Sequence, residues 1–232
     1  MKLDVFIKGE TIDLCIPTRE FAFNSNWYSW FNNPLTTRFL EQGITPNTPE
    51  DQLKFFDAEK TNNSRLILII SDKSNYVGTV SLSFINHEKK RASVAIVIGE
   101  KLPRHEHSKC VALESIARIV EHGMLKMGLN RIDAGQHISL KDWQQKMELI
   151  GFKIESLEKN GFVKGNETAD SIHIAILQED YLTIKKKRGK YWDSASKMLA
   201  RMSILPEESY GDKLGRFYAD VREEYYNTIF NL

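Results

Sequence analysis

The sequence has no marked excess of either charge, few cysteines and no long apolar run. Its 32 lysines and arginines balance 31 aspartates and glutamates, so its net charge of +1 creates no field that favours nucleic acid or an anionic membrane. The two cysteines, Cys15 and Cys110, form neither a disulfide framework nor a metal-type pair. No stretch approaches the roughly 20 apolar residues of a membrane span, and the first residues lack the apolar core of a signal peptide. We therefore expect a cytoplasmic protein without a nucleic-acid or membrane partner.

The remaining composition, 41% hydrophobic and 27% charged over 232 residues, is that of an ordinary globular protein. Alternating residues from Val5 to Ile16 predict a strand hairpin. Apolar segments at 65–71, 76–84 and 92–98, joined by short polar links, predict an antiparallel meander. The other predicted helices lie at about 23–31, 48–60, 108–127 and 139–151, and the other predicted strands at 129–136, 152–157 and 171–177. The expected fold class is α+β, a mixed and mostly antiparallel sheet flanked by helices.

Five segments resemble, in order, conserved strands and helix starts of the GNAT superfamily of N-acetyltransferases. They are VGTVSL (77–82), ASVAIVIG (92–99), KCVALES (109–115), LNRIDA (129–134) and ELIGF (148–152). The resemblance covers about residues 3–182. Within the superfamily, the chain resembles the bacterial amino-sugar and ribosomal-protein acetyltransferases. The resemblance implies a GNAT domain over 1–182, with 183–232 as a helical C-terminal extension.

Acetyl-CoA is the co-substrate that this resemblance implies. A loop entering a helix N-terminus supplies backbone N–H donors and a favourable dipole for the pyrophosphate. The family usually has glycines in this loop, where Ser108 and Cys110 stand, and an Asn and a Tyr on the next helix, where Leu140 and Met147 stand. The residues expected to bind the cofactor are Ile96, Val97, Ile98, Arg104, His105, Ser108, Lys109, Cys110, Val111, Leu140 and Trp143.

The catalytic base has to be found outside the family's usual position. Many members carry a Glu early in the fourth strand, but Ser93 stands there. We expect His137, just past the fifth strand of the family fold, to be the base, because imidazole titrates in the useful pH range. A surface-loop histidine is the alternative for His137, and Glu41 and His87 are the next candidates. His105 and His107 have no third ligand at suitable spacing, so no metal is expected.

The acceptor region is predicted at residues 27–48, which combine aromatic and amide side chains. Trp27, Trp30 and Gln42 are expected to contact the acceptor, because aromatic faces stack on sugar rings and amides bind hydroxyls. This stretch resembles N-acetyltransferases of surface-glycan pathways, which implies a nucleotide-linked amino sugar. The alternatives are that the tryptophans are helix core, that the acceptor is a protein N-terminus or lysine, or that the protein binds acyl-CoA without catalysis.

The extension contains a basic run at 185–190 and then helical patterns. The run is read as a solvated linker rather than as a nucleic-acid contact. Leu214, Phe217, Val221 and Tyr225 form an apolar stripe at spacings of three and four. We expect this stripe to pack on its own domain near the aromatic helices, with burial in a homodimer as the alternative.

Overall fold

The computed structural model describes residues 1–103 and 106–230, which contain one eight-stranded sheet with helices on both faces. The strands are β1 (Val5–Lys8), β2 (Asp13–Cys15), β3 (Leu66–Ser71), β4 (Tyr76–Asn86), β5 (Arg91–Ile98), β6 (Arg131–His137), β7 (Lys153–Lys164) and β8 (Glu167–Leu177). Their order in the sheet is β1-β2-β3-β4-β5-β6-β8-β7. Only the pairing of β5 with β6 is parallel. The predicted mixed, mostly antiparallel α+β class is confirmed.

The helices follow the chain between and after these strands. They are α1 (Arg19–Asn24), α2 (Trp27–Trp30), α3 (Pro49–Lys60), α4 (Val111–Leu125), α5 (Lys141–Leu149), α6 (Gln178–Arg188), α7 (Ala195–Met202), α8 (Tyr210–Phe217) and α9 (Glu223–Phe230). A 3₁₀ turn, Glu106–Cys110, leads into α4. The helix predicted at 48–60 is α3: Thr48 caps the backbone N–H of Asp51, and Pro49 holds the first position. None of these helices is long and apolar enough to cross a membrane.

One face of the sheet is buried under α4. Cross-strand partners project to the same face, and the register aligns Leu68 with Val80 and Leu82 with Val94. These side chains join Ile132 and the apolar stripe of α4 in the main core. We call this the core face. Because side chains alternate along a strand, the residues between these positions project to the opposite side of the sheet.

The opposite side, here called the open face, is only half covered. Helices α1, α2 and α3 pack against its β3 end, where Ile69 belongs to a second apolar cluster. Beyond that cluster the register carries Ser81 and Ser83 of β4 and Ser93 of β5 onto the same face. Farther along, Gly135 of β6 is exposed. Beyond the apolar cluster, the open face therefore carries polar side chains and a glycine rather than a second apolar core.

The structure differs from the sequence pattern in three places. The loop expected between residues 157 and 171 is instead a long hairpin, because β7 and β8 continue to a turn at Gly165. Asn160-Gly161, which lies in that loop of the sequence pattern, belongs instead to an irregular part of β7, where the register with β8 shifts between Glu158 and Phe162. The helix predicted at 139–151 begins later than expected: Ser139 and Asp142 have the spacing of a capping box, but Leu140 is the N-cap and α5 has no side-chain cap.

The C-terminal region is partly core and partly exposed. The boundary expected after residue 182 falls inside α6, which also contains most of the basic run at its C-terminal end, where cations complement the helix dipole. Tyr191, Trp192 and Met198 are buried in the main core. In contrast, Phe217 and Tyr225 are 57% and 60% exposed. The expectation that this stripe packs on its own domain near α1–α3 is therefore wrong for these residues.

Candidate active site

The central feature of the site is a fork between β5 and β6. The two strands pair only at Arg91–Arg131, Ala92–Ile132 and Ser93–Asp133. Farther on, β5 stays paired with β4 to Ile98, and β6 stays paired with β8 to His137. Residues 94–98 and 134–137 therefore face each other across a gap rather than a hydrogen-bonded ladder.

Backbone groups of β5 line this gap. Gly99 N donates to Val77 O at 2.9 Å, and in an antiparallel pair the residues that bond across the ladder alternate. Val97 and Ala95 therefore direct their backbone groups to β4, whereas Ile96 and Ile98 direct theirs into the gap. Lys90 fits the same alternation, because its carbonyl accepts from Asn130 N on the β6 side at 2.7 Å. Ile96 and Ile98, two of the three predicted strand contacts, thus direct backbone N–H groups into the fork, where no described strand pairs with them.

The open end of the fork leads to the start of α4. Arg104 and His105 lie outside the described residues. Cys110, the N-cap of α4, has helical backbone angles, so the 3₁₀ turn runs directly into the helix. Ser108, Cys110 and Val111 are buried and Lys109 is exposed. The Cys110 thiol lies 3.7 Å from the carbonyl oxygen of Ala195, which places α7 beside this turn.

The first turn of α5 borders the core-face side of the gap. Leu140, its N-cap, accepts a hydrogen bond at 3.1 Å from the Gln136 side chain of β6. Trp143 is half-buried and packs against the main core. Leu140 and Trp143, both expected to bind the cofactor, therefore lie at the start of the helix that follows β6.

Polar side chains concentrate where the fork closes on the open face. Ser93 Oγ donates to Asp133 Oδ1 at 2.5 Å. Arg131 forms a two-pronged ion pair with Glu155, at 2.6 Å and 2.5 Å, and its hydrogen bonds hold the pKa of that carboxyl below its usual value. A serine and a carboxylate thus mark the closed end of the fork.

A histidine–carboxylate pair lies farther along the same face. His173 of β8 pairs in register with Gly135 of β6, and its Nε2 lies 2.7 Å from Glu158 Oε2 of β7. The sequence analysis missed both residues. The alternation of the predicted strand 171–177 could have placed His173 on the face of Ser171, but Glu158 was assigned to a loop.

His137 is enclosed rather than presented on a surface loop. Its side chain is 4% exposed and packs between Phe39 and Phe162, each with its ring centroid 4.8 Å away. Its Nδ1 accepts the backbone N–H of Ser139 at 3.1 Å. The neutral ring therefore carries its hydrogen on Nε2, which lies 3.9 Å from Glu167 and is buried without a hydrogen-bond partner. In this arrangement, His137 has no free lone pair.

The loop that holds Glu41 and Gln42 is tied to the β7–β8 hairpin. Lys164 Nζ donates to the carbonyl oxygens of Thr37 at 2.6 Å and Gln42 at 2.8 Å. Arg38 binds Glu167 at 2.6 Å, which lowers the pKa of that carboxyl. Glu41 and Gln42 are exposed. The predicted acceptor loop therefore borders the hairpin that carries His173.

The other predicted residues are not gathered at the fork. Trp27 is 2% exposed and packs between Phe21 and Phe55, so it is a core residue. Trp30 covers Gly99, where an added Cβ would overlap the indole, and it donates to Glu100 at 2.8 Å. Trp30 also lines a cavity of about 410 Å³ beside β4. His87 lies in the β4–β5 turn, beyond the closed end of the fork.

Among residues 1–103 and 106–230, no cluster of three or more His, Cys, Asp or Glu side chains could hold a metal ion. The backbone donors in the gap, the start of α4 and the polar open face are therefore the features on which a function has to rest.

Comparisons with known proteins agree with this geometry. No family model matches the chain. The chain is 26% identical over 167 residues to the uncharacterized N-acetyltransferase YnaD of Bacillus subtilis (strain 168), covering 70% of this chain and 94% of YnaD. It is 22% identical over 159 residues to the uncharacterized N-acetyltransferase p20 of Bacillus licheniformis, covering 66% of this chain and 85% of p20.

Solved structures share the fold at low sequence identity. The microcin C7 self-immunity acetyltransferase MccE, in complex with acetyl-CoA and AMP, matches with a TM-score of 0.62 at 19% identity, covering 73% of this chain and 93% of its own. Spermidine N-acetyltransferase from Vibrio cholerae, in complex with CoA and spermine, matches with a TM-score of 0.64 at 18% identity, covering 74% and 98%. The forked sheet and these solved structures show that the chain has the fold of the GNAT acetyltransferases, and both curated relatives are named N-acetyltransferases.

Proposed function

We propose that this protein transfers the acetyl group of acetyl-CoA to the primary amine of a small molecule. The observation that carries the proposal is the fork, where Ile96 and Ile98 present backbone N–H groups that no neighbouring strand uses. Such donors can hydrogen-bond an extended pantetheine arm and polarise the thioester carbonyl. Both curated relatives are named as uncharacterized N-acetyltransferases, and the solved neighbours include complexes with acetyl-CoA and with CoA.

The dimensions of the fork suit this ligand. At the strand rise of about 3.3 Å per residue, the distance from Ile98 back to Ser93 is about 17 Å, comparable with an extended pantetheine arm. A pyrophosphate at the 3₁₀ turn that leads into α4 would meet backbone N–H groups at the start of this helical segment. The thioester would then lie near the closed end of the fork, beside Ser93 and Asp133. An amine that approaches over the open face could reach its carbonyl carbon.

We propose an amino sugar as the acceptor, held by the loop at residues 31–48. This assignment rests on the amides and carboxylate of that loop, with Gln42 and Glu41 as the proposed contacts. His137 would act by position: its ring packs between Phe39 of the loop and Phe162 of β7, and so fixes the loop beside the fork. Polyamines should be tested as acceptors as well, because one of the structural neighbours is named a spermidine N-acetyltransferase.

The test is CoA thiol release from acetyl-CoA by the full-length protein with three acceptor classes: nucleotide-linked amino sugars, spermidine, and peptides with a free N-terminus. Turnover with amino sugars alone would support the whole proposal. Turnover with spermidine or peptides would keep the transferase and reject the sugar. Calorimetric binding of acetyl-CoA without turnover on any acceptor would reject catalysis and favour an acyl-CoA-binding protein.

A further inference from the structure

Amine acetylation needs a group that removes a proton from the attacking nitrogen. Ser93, at the family's usual carboxylate position, is a poor base, and its hydroxyl is already donated to Asp133. The neutral ring of His137 has its Nδ1 lone pair engaged by Ser139. The base has to be a different group, close to the fork and on the open face.

His173 meets both conditions. It is the β8 partner of Gly135 of β6. Gly135 lies two residues, or about 7 Å along the strand, beyond Asp133, the last residue of β6 that pairs with β5. A Cβ added to Gly135 would lie 3.5 Å from His173 Cε1 and 3.6 Å from Nδ1. The ring therefore lies over the β6 backbone where β6 borders the gap, with its Nδ1 edge above a residue that has no side chain.

Glu158 orients this ring. Its carboxylate lies 2.7 Å from His173 Nε2, so in the neutral histidine the hydrogen is on Nε2 and the Nδ1 lone pair is available. The irregular part of β7 makes the contact possible: a Cβ added to Gly161 would lie only 2.7 Å from Glu158 Oε2. A base whose second nitrogen is held by a carboxylate is a recurrent catalytic arrangement on unrelated folds.

We propose that His173, oriented by Glu158, is the general base of the reaction, an inference that rests on the proposed function. The amine nitrogen attacks the carbonyl carbon of the acetyl thioester and forms the new C–N bond, while its proton passes to His173 Nδ1. The C–S bond then breaks, CoA leaves as the thiolate, and that thiolate takes a proton from solvent. The imidazolium is stabilised by Glu158 and returns its proton to solvent.

The decisive measurement is the turnover of His173→Ala with the best acceptor of the panel above. We expect kcat to fall about 10²-fold or more, the typical contribution of a positioned base, with unchanged calorimetric affinity for acetyl-CoA. Because the side chain is 44% exposed, free imidazole can enter the vacated space and should restore part of the rate. Unchanged kcat, or a loss that imidazole does not relieve, would overturn the proposal.

Three further variants separate a base from a structural residue. Glu158→Gln should lower kcat about tenfold, because it removes the charge that stabilises the imidazolium. Gly135→Ala should lower kcat by covering the Nδ1 edge with a methyl group, whereas Gly215→Ala, in α8 with nothing within 4 Å of an added Cβ, should have wild-type kinetics. If Asp133→Asn abolishes turnover while His173→Ala retains it, the base is Asp133.

A measurement without turnover distinguishes failure of this proposal from failure of the proposed function. Two-dimensional ¹H–¹⁵N NMR of histidine-labelled protein, with His173→Gln for assignment, reports which ring nitrogen carries the hydrogen. We expect the Nε2–H tautomer for His173. The Nδ1–H tautomer would overturn the assignment whether or not an acceptor has been found.

Discussion

The indole N–H of Trp192 donates a hydrogen bond of 3.0 Å to the carboxylate of Glu10. The same carboxylate oxygen, Oε2, accepts the backbone N–H of Ala195 at 2.8 Å. The turn of the first hairpin is thus joined to the start of α7, although the residues are more than 180 positions apart in sequence. The segment that follows α6 is therefore part of the folded core rather than an appendage to it.

Two truncations should show that one part of the C-terminal region is needed for folding and that the other part is not. A chain that ends at Lys190 loses the fully buried Tyr191 and the buried Trp192 and Met198. Loss of large core side chains costs about 3–5 kcal/mol each, so we expect this chain to be insoluble or unfolded by circular dichroism.

The matched truncation ends at Arg216 and removes only side chains from Phe217 onward, which are exposed or half-buried in the described part of the chain. We expect an unchanged free energy of unfolding and unchanged acetyl-CoA affinity. A marked loss of stability in this variant would show that the exposed stripe packs on the core in solution. Loss of a dimer in light scattering would instead assign the stripe to a homodimer interface.

Glu114 should be one of the most sensitive stabilising residues. Its carboxylate is fully buried on α4 and accepts hydrogen bonds from Glu10 N at 2.5 Å and Thr11 N at 2.7 Å, besides its pair with Arg118. Replacement by Gln places an amide among donors that need an acceptor. We expect Glu114→Gln to lower the free energy of unfolding by roughly 2–4 kcal/mol, measured by urea titration. The exposed Glu88→Gln is the control, and an equal effect in both variants would contradict the prediction.

The sheet was largely predictable because it depends on local patterns. Runs such as 66–71 are too apolar for anything but a buried strand, and short polar links restrict neighbouring strands to antiparallel pairing. The α4 stripe and the Thr48 cap were equally local signals. The extent of the β7–β8 hairpin was not predictable from such signals, because its outer residues are polar and Asn160-Gly161 is typical of a turn.

The candidate site was harder to predict because it depends on pairing across distant segments. Ser93 and Asp133 meet only because β5 and β6 are neighbours, and His173 meets Glu158 only because the β7 register shifts. His137 was chosen for its residue type, but its environment of Phe39, Phe162 and Ser139 is visible only in three dimensions. The sequence indicated that a histidine lies at the end of a strand, but it could not show which ring nitrogen of a histidine has a free lone pair.

The charge at the start of α4 should affect acetyl-CoA affinity. Lys109 is exposed one residue before the N-cap Cys110, where the proposed pyrophosphate site lies. We expect Lys109→Glu to weaken acetyl-CoA binding about three- to tenfold at low ionic strength, with a smaller effect in salt. Lys126→Glu, at the opposite end of the same helix, is the matched control and should bind normally. Equal affinities in calorimetry would place the pyrophosphate elsewhere.

Asp193, which lies between Trp192 and α7, should make the free energy of unfolding depend on pH. Its side chain is 5% exposed and forms a two-pronged ion pair with Arg201, at 2.9 Å and 2.6 Å. Hydrogen bonds from Arg201 are the main reason that its pKa is lowered to about 2. Because the carboxyl binds its proton more weakly in the folded state, folding is stabilised when the group is ionised in both states.

The sign of the effect follows from these two protonation states. Between an unfolded pKa of about 4 and the folded value, the unfolded chain takes up the proton first, so this contribution is present above about pH 4 and is lost as the pH falls toward 2. We expect Asp193→Asn to lower the free energy of unfolding by about 2 kcal/mol at neutral pH and by progressively less below about pH 4. Urea titrations across this range, with the exposed Asp4→Asn as control, measure the difference. A deficit that stays constant down to about pH 2 would show that the variant loses packing or hydrogen bonds rather than the ionised pair.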